Sequence, residues 1–143
     1  GTPGVGIHGV DQPDYLLLNT MCGQLTMFSD ESVAEAGPIN HGPNLFEWAK
    51  QQGYRLDESG YAVQKDGRNI EPTDFLPRKI LGRYLNWVFN QLSRELPFTV
   101  SLVIHSQNAI GYRRIENGKK AITLENGSVI LADYVFITVG HTY

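Results

Sequence analysis

The most prominent chemical motif is a glycine-rich stretch near the start of the chain, Gly4-Val5-Gly6-Ile7-His8-Gly9, which matches the pattern G-x-G-x-x-G. Between a strand and a helix, such glycines let the backbone close on a pyrophosphate at the helix N-terminus. Only three residues precede the motif here, and residues 10–14 after it show no amphipathic helical pattern. We therefore predict that residues 4–9 form an ordinary loop rather than a dinucleotide-binding fingerprint.

Residues that could bind a metal ion or attack a substrate are few and scattered. The histidines are His8, His41, His105 and His141, and Cys22 is the single cysteine. Their spacing matches no metal-ligand pattern, and one cysteine cannot form a disulfide within the chain. No nucleophile–base pair is recognisable, so we predict no metal site and assign no catalytic residue.

Composition and charge describe a globular chain with a weakly acidic surface. The 143 residues carry a net charge of −3, and 41% of them are hydrophobic, which suits one domain with a buried core. The charge argues against nucleic-acid and anionic-membrane partners. No apolar run approaches the ~18 residues of a membrane span, and residues 1–4 do not begin a signal peptide. With a single cysteine, we expect a reduced, cytoplasmic setting.

The first predicted helix is marked by its caps. Asn44 followed by Glu47 has the pattern of a capping box. This pattern predicts a helix over residues 45–52 that ends at Gly53. Residues 54–71 contain further glycines and are expected to form a loop or a weak hairpin.

A second, longer helix has the strongest periodic pattern in the chain. We predict that Thr73 or Asp74 caps it, that Pro77 lies in or near its first turn, and that it stops before Pro97. Its apolar residues repeat at helical spacing and should form one buried face: Leu81, Tyr84, Leu85, Val88 and Leu92.

After Pro97 the pattern changes to strands. Asn117-Gly118 and Asn126-Gly127 are typical of tight turns because both residue types tolerate positive φ. The last strand is apolar almost throughout, as is typical of a parallel strand buried on both faces. The predicted strands cover residues 98–104, 109–115, 121–124, 129–131 and 134–138.

Three stretches, taken in order, resemble FAD/NAD(P)-binding oxidoreductases, and within them flavin-dependent N-hydroxylating and Baeyer–Villiger-type monooxygenases. In that family the meander leads to a buried strand ending in Ala-Thr-Gly, where this chain has Thr138-Val139-Gly140. The stretches are Gly4-Val5-Gly6 through Tyr15-Leu16-Leu17-Leu18-Asn19-Thr20; Phe75-Leu76-Pro77-Arg78 with Tyr84-Leu85-Asn86-Trp87; and residues 122–141.

The resemblance implies an α/β fold, namely a partial Rossmann-like FAD/NAD(P)-binding domain with two helices and a C-terminal β-meander. Residues 1–143 would then be one domain-sized segment of a larger FAD/NAD(P)-binding domain. The strand, fingerprint loop and helix that begin such a domain are not recognisable in it, so we expect an internal segment that is inactive by itself. The implied cofactors are FAD and NAD(P)H.

The resemblance also implies cofactor-binding residues. Asn19 and Thr20 match a loop that faces the flavin, and ordinary turn capping is the alternative. Arg78 would lie near the cofactor, since a basic residue at a helix N-terminus opposes the helix dipole and suggests an anionic partner; a solvated arginine is the alternative. Thr138 and Gly140 end the last strand, where ligands bind in open α/β sheets, unless Gly140 only starts a turn.

Function at this point has more than one interpretation. The resemblance implies part of an FAD-dependent, NAD(P)H-using oxidoreductase, with a monooxygenase as the narrower hypothesis and a small-molecule substrate that the sequence does not identify. The alternative is a non-catalytic interaction or regulatory domain with an oxidoreductase-like fold, because fold does not determine function. An S-adenosylmethionine- or nucleotide-binding domain is a third interpretation, and a homo-oligomer is compatible with each.

Overall fold

A computed structural model describes residues 2–32, 34–35 and 37–140. The chain divides into two compact units, residues 1–100 and 101–143, and each is described by itself below. Within the described residues, no helix has both the length and the apolar character needed to cross a membrane.

The first helix, α1, spans Leu45–Gln51 and begins with the predicted capping box. The Glu47 backbone N–H donates to Asn44 Oδ1 at 2.9 Å, and the Asn44 N–H donates to Glu47 Oε2 at 3.0 Å. Two otherwise unpaired amides are thereby satisfied, which stabilises the helix N-terminus. Gly53 follows with φ +76°, the left-handed conformation that commonly ends a helix.

The second helix, α2, spans Arg78–Arg94 and follows Pro77, whose side chain makes no capping hydrogen bond. The prediction that Thr73 or Asp74 caps this helix is wrong. The residue before a proline is pushed toward extended backbone, so the helix cannot include Leu76 and starts only after Pro77. The helix does end before Pro97, as predicted.

A hydrophobic core fills the first unit, and α2 packs against α1 through it. Ile80, Tyr84 and Val88 are the buried side chains of α2, whereas Leu81 and Leu85 are only partly buried. Leu92 is 46% exposed, so the predicted buried face is wrong at Leu92 and rotated slightly at Leu81 and Leu85. Other buried members come from α1 and the surrounding segments: Leu18, Cys22, Leu45, Trp48, Ala49, Tyr54, Leu56, Ile70 and Leu76.

A small antiparallel sheet covers residues 55–69 of the first unit. Strands β1 (Arg55–Leu56), β2 (Ala62–Val63) and β3 (Arg68–Asn69) pair in the order β2-β1-β3. Each strand has two residues, which agrees with the weak hairpin expected there.

The second unit contains the predicted meander. Strands β4 (Ala109–Arg114), β5 (Lys120–Leu124) and β6 (Val129–Ala132) form an antiparallel sheet in the order β4-β5-β6. Asn117 and Gly118 in the first turn and Gly127 in the second have positive φ, as their residue types predicted. The two helices and the C-terminal meander confirm the predicted α/β class.

Two predicted strands are wrong: residues 98–104 and 134–138 form no strand. Their apolar side chains are exposed instead, with Phe136 88% exposed. A strand persists only when its backbone N–H and C=O groups pair with a neighbour. Among residues 2–32, 34–35 and 37–140, no strand pairs with either segment, and the apolar pattern alone could not reveal this.

Candidate cofactor-binding site

Residues 16–23 run antiparallel to residues 72–78 and form a two-segment ribbon ahead of α2. Leu17 and Pro77 face each other as an isolated antiparallel bridge at one end of it. Four backbone hydrogen bonds hold the segments together: Arg78 N to Leu16 O (2.7 Å), Leu18 N to Leu76 O (2.9 Å), Cys22 N to Asp74 O (2.9 Å) and Gly23 N to Pro72 O (2.8 Å).

The ribbon contains a bulge, which we define as Asn19, Thr20 and Met21. These three residues lie between the hydrogen bonds of Leu18 and Cys22, opposite the single residue Phe75. Thr20 Oγ1 is 3.5 Å from Asn19 Oδ1. Within the part of the chain that the structure describes, neither side chain hydrogen-bonds to the backbone. Their remaining donors and acceptors are therefore open to a ligand.

Arg78 lies on the same ribbon, three residues beyond Phe75, which faces the bulge. Its backbone N–H donates to Leu16 O, and its side-chain Nε donates to Leu17 O at 3.2 Å, so the side chain lies back across the ribbon. Across the described ranges, Nη1 and Nη2 have no hydrogen-bond partner. A guanidinium carries five N–H donors, so four of them are left for an anionic group.

The glycine-rich stretch at residues 4–9 packs on α2 as a loop, which confirms the sequence-based interpretation. In the described residues it follows no strand and precedes no helix. Gly4 and Gly6 have φ of +82° and +58° and provide its turns. The His8 carbonyl lies so close to Gly82 of α2 that a Cβ there would collide with it, so the motif serves helix packing.

This packing places His8 beside Arg78, a pairing that the sequence analysis did not find. Burial lowers the pKa of His8, and the nearby Arg78 guanidinium lowers it further, so His8 is neutral at pH 7. Its Nδ1 is buried without a partner in the described structure. Seventy positions separate the two residues, so only the tertiary contact relates them.

Thr138 and Gly140 belong to the second unit, whereas the bulge belongs to the first. Both are exposed and lie outside any strand. Gly140 has φ +74°, a conformation that side-chain-bearing residues rarely adopt. His141, next to it, lies outside the described residues.

Cys22 is no nucleophile in this environment. Its side chain is fully buried, and its thiol donates to the Glu71 carbonyl at a sulfur–oxygen distance of 3.2 Å. Burial raises the pKa of the Cys22 thiol to about 11, with a further contribution from Asp74. The thiolate, which is the reactive form, is therefore scarce at neutral pH.

A cavity of about 610 Å³ lies in the first unit beyond the ribbon. Asp30, His41 and Glu47 contribute its titratable groups, although Asp30 already accepts a hydrogen bond from the Ser32 amide at 2.8 Å. The surrounding loop, residues 28–42, is fixed at both ends by the buried Tyr84. The Tyr84 hydroxyl accepts from the Met27 N–H at 3.1 Å and donates to the Pro43 carbonyl at 2.8 Å.

Two residues of the bulge, together with Arg78 on the same ribbon, have the chemistry that a flavin dinucleotide requires. FAD combines an anionic pyrophosphate with a ring edge that donates and accepts hydrogen bonds. Arg78 offers positive charge, and Asn19 and Thr20 offer both donors and acceptors. The orphaned His8 Nδ1 adds an unsatisfied polar atom near Arg78. Arg78, Asn19 and Thr20 therefore fit the cofactor. The described residues contain no group of three potential metal ligands.

Comparison with known proteins identifies the family of the chain. The model of the FAD-NAD(P)-binding family matches residues 2–142. The chain is 30% identical over 141 residues to nitrosuccinic acid synthase npaA of Aspergillus oryzae, a match that covers 97% of this chain and 20% of that protein. It is 30% identical over 154 residues to an L-aspartate N-monooxygenase (nitrosuccinate-forming) of Streptomyces davaonensis, covering 97% of this chain and 23% of that protein.

A similar enzyme of Streptomyces cremeus, also an L-aspartate N-monooxygenase (nitrosuccinate-forming), is 28% identical over 150 residues, with 97% of this chain and 22% of that protein covered. The chain spans about a fifth of the length of these curated relatives. The resemblance seen in the sequence and the cofactors it implies, FAD and NAD(P)H, are confirmed. Because the family model covers nearly the whole sequence, the chain belongs to the FAD-NAD(P)-binding family.

Proposed function

We propose that the protein containing this chain is an FAD-dependent, NAD(P)H-using monooxygenase that oxidises an amino nitrogen. The observation that carries this proposal is the similarity, over 97% of the chain, to relatives whose names all describe formation of nitrosuccinate or its acid. The cofactor-compatible bulge supports it, because its open donors and acceptors lie in a segment that the family model includes.

The chain's own residues would bind and orient the cofactor. Arg78 would place its unpaired Nη groups against an anionic part of FAD, and the Asn19 and Thr20 side chains would hydrogen-bond to polar atoms of the cofactor. Neutral His8 beside Arg78 adds no positive charge, so Arg78 would supply the charge at this place. Bound FAD supplies the hydride and oxygen chemistry, which the protein itself does not perform.

For the substrate, we propose a small amino acid, with L-aspartate as the first compound to test, since two relatives are named for it. We also propose a cytoplasmic location, which the single reduced and buried Cys22 supports. No nucleic-acid or membrane partner is proposed, in keeping with the net charge of −3. A homo-oligomer is proposed on the strength of the exposed apolar segments at residues 98–104 and 134–138.

The test is made on the complete native protein. We expect it to purify yellow or to take up added FAD, and to consume NAD(P)H faster when L-aspartate is present. L-Asparagine is the matched control because it keeps the amino nitrogen and loses only the side-chain charge. A colourless protein that does not bind FAD contradicts the proposal and favours the non-catalytic interaction domain. Flavin binding with no response to any amino acid contradicts the N-oxygenation while keeping the oxidoreductase.

A further inference from the structure

Asp74 stands at the edge of the bulge and contacts Cys22, the residue that follows the bulge, through the backbone. Its carbonyl oxygen accepts the Cys22 N–H at 2.9 Å, which is the hydrogen bond at which the bulge ends and the ribbon resumes. The opposite edge is the hydrogen bond from Leu18 N to Leu76 O. Because the Asn19 and Thr20 side chains form no hydrogen bond outside the bulge in the described structure, we expect these two edges to determine where they point.

The carboxylate of Asp74 fixes the turn from which that carbonyl projects. Arg68 of β3 donates to both oxygens, from Nη1 to Oδ2 at 2.8 Å and from Nη2 to Oδ1 at 2.7 Å. The Glu71 N–H donates to Oδ2 at 2.7 Å, and the Asp74 N–H donates back to the Glu71 carbonyl at 3.0 Å. A bidentate arginine pair restricts orientation as well as distance, so residues 71–74 are held from both directions.

The burial of the Asp74 side chain favours a positioning role over a loose surface contact. The Asp74 side chain is 15% exposed, whereas that of Arg68 is 54% exposed. The hydrogen bonds from Arg68 lower the pKa of Asp74; burial opposes this shift, and the hydrogen bond from the Glu71 amide adds to it. The Cys22 thiol also donates to the Glu71 carbonyl in the same turn. Cys22, at the end of the bulge, is therefore bound to residues 71–74 through both its backbone N–H and its side chain.

We propose that Asp74, held by Arg68, is a positioning residue for the bulge and thereby sets the affinity for FAD without touching the cofactor. The inference rests on the proposed function, since it assumes that Asn19 and Thr20 bind FAD. Its distinctive consequence is a loss of affinity that excess cofactor can overcome. A residue that touched the reacting atoms would lower turnover even at saturation.

The first experiment measures FAD affinity in the complete native protein. Asp74→Ala and Arg68→Ala should each raise the Kd for FAD about tenfold, and saturating FAD should restore kcat to within about twofold of wild type. Asp57→Ala is the matched control, because Asp57 also accepts backbone N–H groups in a turn, those of Ser59 and Tyr61, and in the described structure it forms no hydrogen bond to either segment of the ribbon. It should leave the Kd unchanged.

The second experiment needs no cofactor. Amide hydrogen exchange at Cys22 and Gly23 should become faster in Asp74→Ala and Arg68→Ala and stay at the wild-type rate in Asp57→Ala. Arg68 is largely exposed, so Arg68→Ala keeps the test valid if Asp74→Ala does not fold. A purely structural role would instead lower the melting temperature and leave the Kd, measured well below it, unchanged.

The outcomes separate the inference from the function on which it rests. Wild-type protein that binds FAD, with variants that bind it equally well, overturns the inference and leaves the proposed function standing. Variants whose kcat stays low at saturating FAD also overturn it. Wild-type protein that binds no FAD overturns both.

Discussion

The two units of the chain bury their apolar residues very differently. The first has a continuous core built around Tyr84 and Trp48, while in the second Ala121 and Leu124 are the buried hydrophobic residues among those described. In the first unit, the apolar faces of the helices pack against each other and against other segments of the same unit. In the second, Leu131 and Ile137 are exposed. A helix satisfies its own backbone, whereas a strand depends on a partner, and this difference separates the two units.

The largest expected effect tests the contrast in burial. Ile80→Ala should lower the free energy of unfolding by about 2–5 kcal/mol, because Ile80 is fully buried. Ile137→Ala in the second unit should cost less than ~0.5 kcal/mol. Denaturant titration followed by far-UV circular dichroism measures both. Equal losses for the two variants would mean that the segment at residue 137 is buried.

The next largest effect is expected on FAD affinity, when an arginine of the first unit is compared with one of the second. Arg78→Ala should weaken FAD binding by the complete native protein by about 1.5–3 kcal/mol, the range for hydrogen bonds to charged groups. Arg113→Ala in β4 is the matched control, since Arg113 is exposed and lies in the second unit. Calorimetric titration with FAD gives both affinities. An unchanged affinity in Arg78→Ala would remove Arg78 from the site.

A smaller effect is expected on self-association. Exposed apolar segments without strand partners invite pairing between copies, so residues 1–143 expressed alone should associate in a concentration-dependent manner. Phe136→Lys should weaken this association about tenfold, whereas Ile7→Lys should not, since Ile7 is also exposed but lies in the first unit. Sedimentation velocity over a range of concentrations distinguishes the two. A strictly monomeric chain would show that these segments do not pair.

The smallest effect compares two asparagines that accept backbone N–H groups. Asn44→Ala removes the capping box of α1 and should cost about 1 kcal/mol of stability. Asn126→Ala removes an acceptor for the Ser128 N–H in an exposed turn and should cost a few tenths of that, about 0.3 kcal/mol. Thermal unfolding of both variants checks the order. The reverse order would mean that the capping box contributes less to stability than the exposed turn does.

The same contrast explains what the sequence could predict. The capping box, the glycine at the end of α1 and the Asn-Gly turns are local, so residue types within a few positions suffice to identify them. The segments at 98–104 and 134–138 have equally clear apolar patterns, yet their conformation depends on a neighbour that the pattern does not specify. The local capping rule also gave a wrong prediction at Asp74. The helix starts only after Pro77, and the Asp74 carboxylate pairs with Arg68 instead of capping the helix.

The candidate site was predictable only in part. Asn19, Thr20 and Arg78 were identified through the family resemblance, and the structure places all three on one ribbon, with Arg78 hydrogen-bonded to residues 16–17. Their role in binding the cofactor stays a prediction. No spacing rule could add His8, whose relation to Arg78 arises from the packing of a loop on α2. A role for Thr138 and Gly140 in binding the cofactor remains a prediction.

The two hydrogen bonds of the Tyr84 hydroxyl bear on how the length of a neighbouring loop can vary during evolution. By holding Met27 and Pro43, the hydroxyl fixes the two ends of the loop at residues 28–42 independently of what lies between them. Closing a loop of twice the length costs only about 0.6 kcal/mol more. The loop can therefore gain or lose residues, and change the polar cavity that it borders, while the aromatic core beneath it stays as it is.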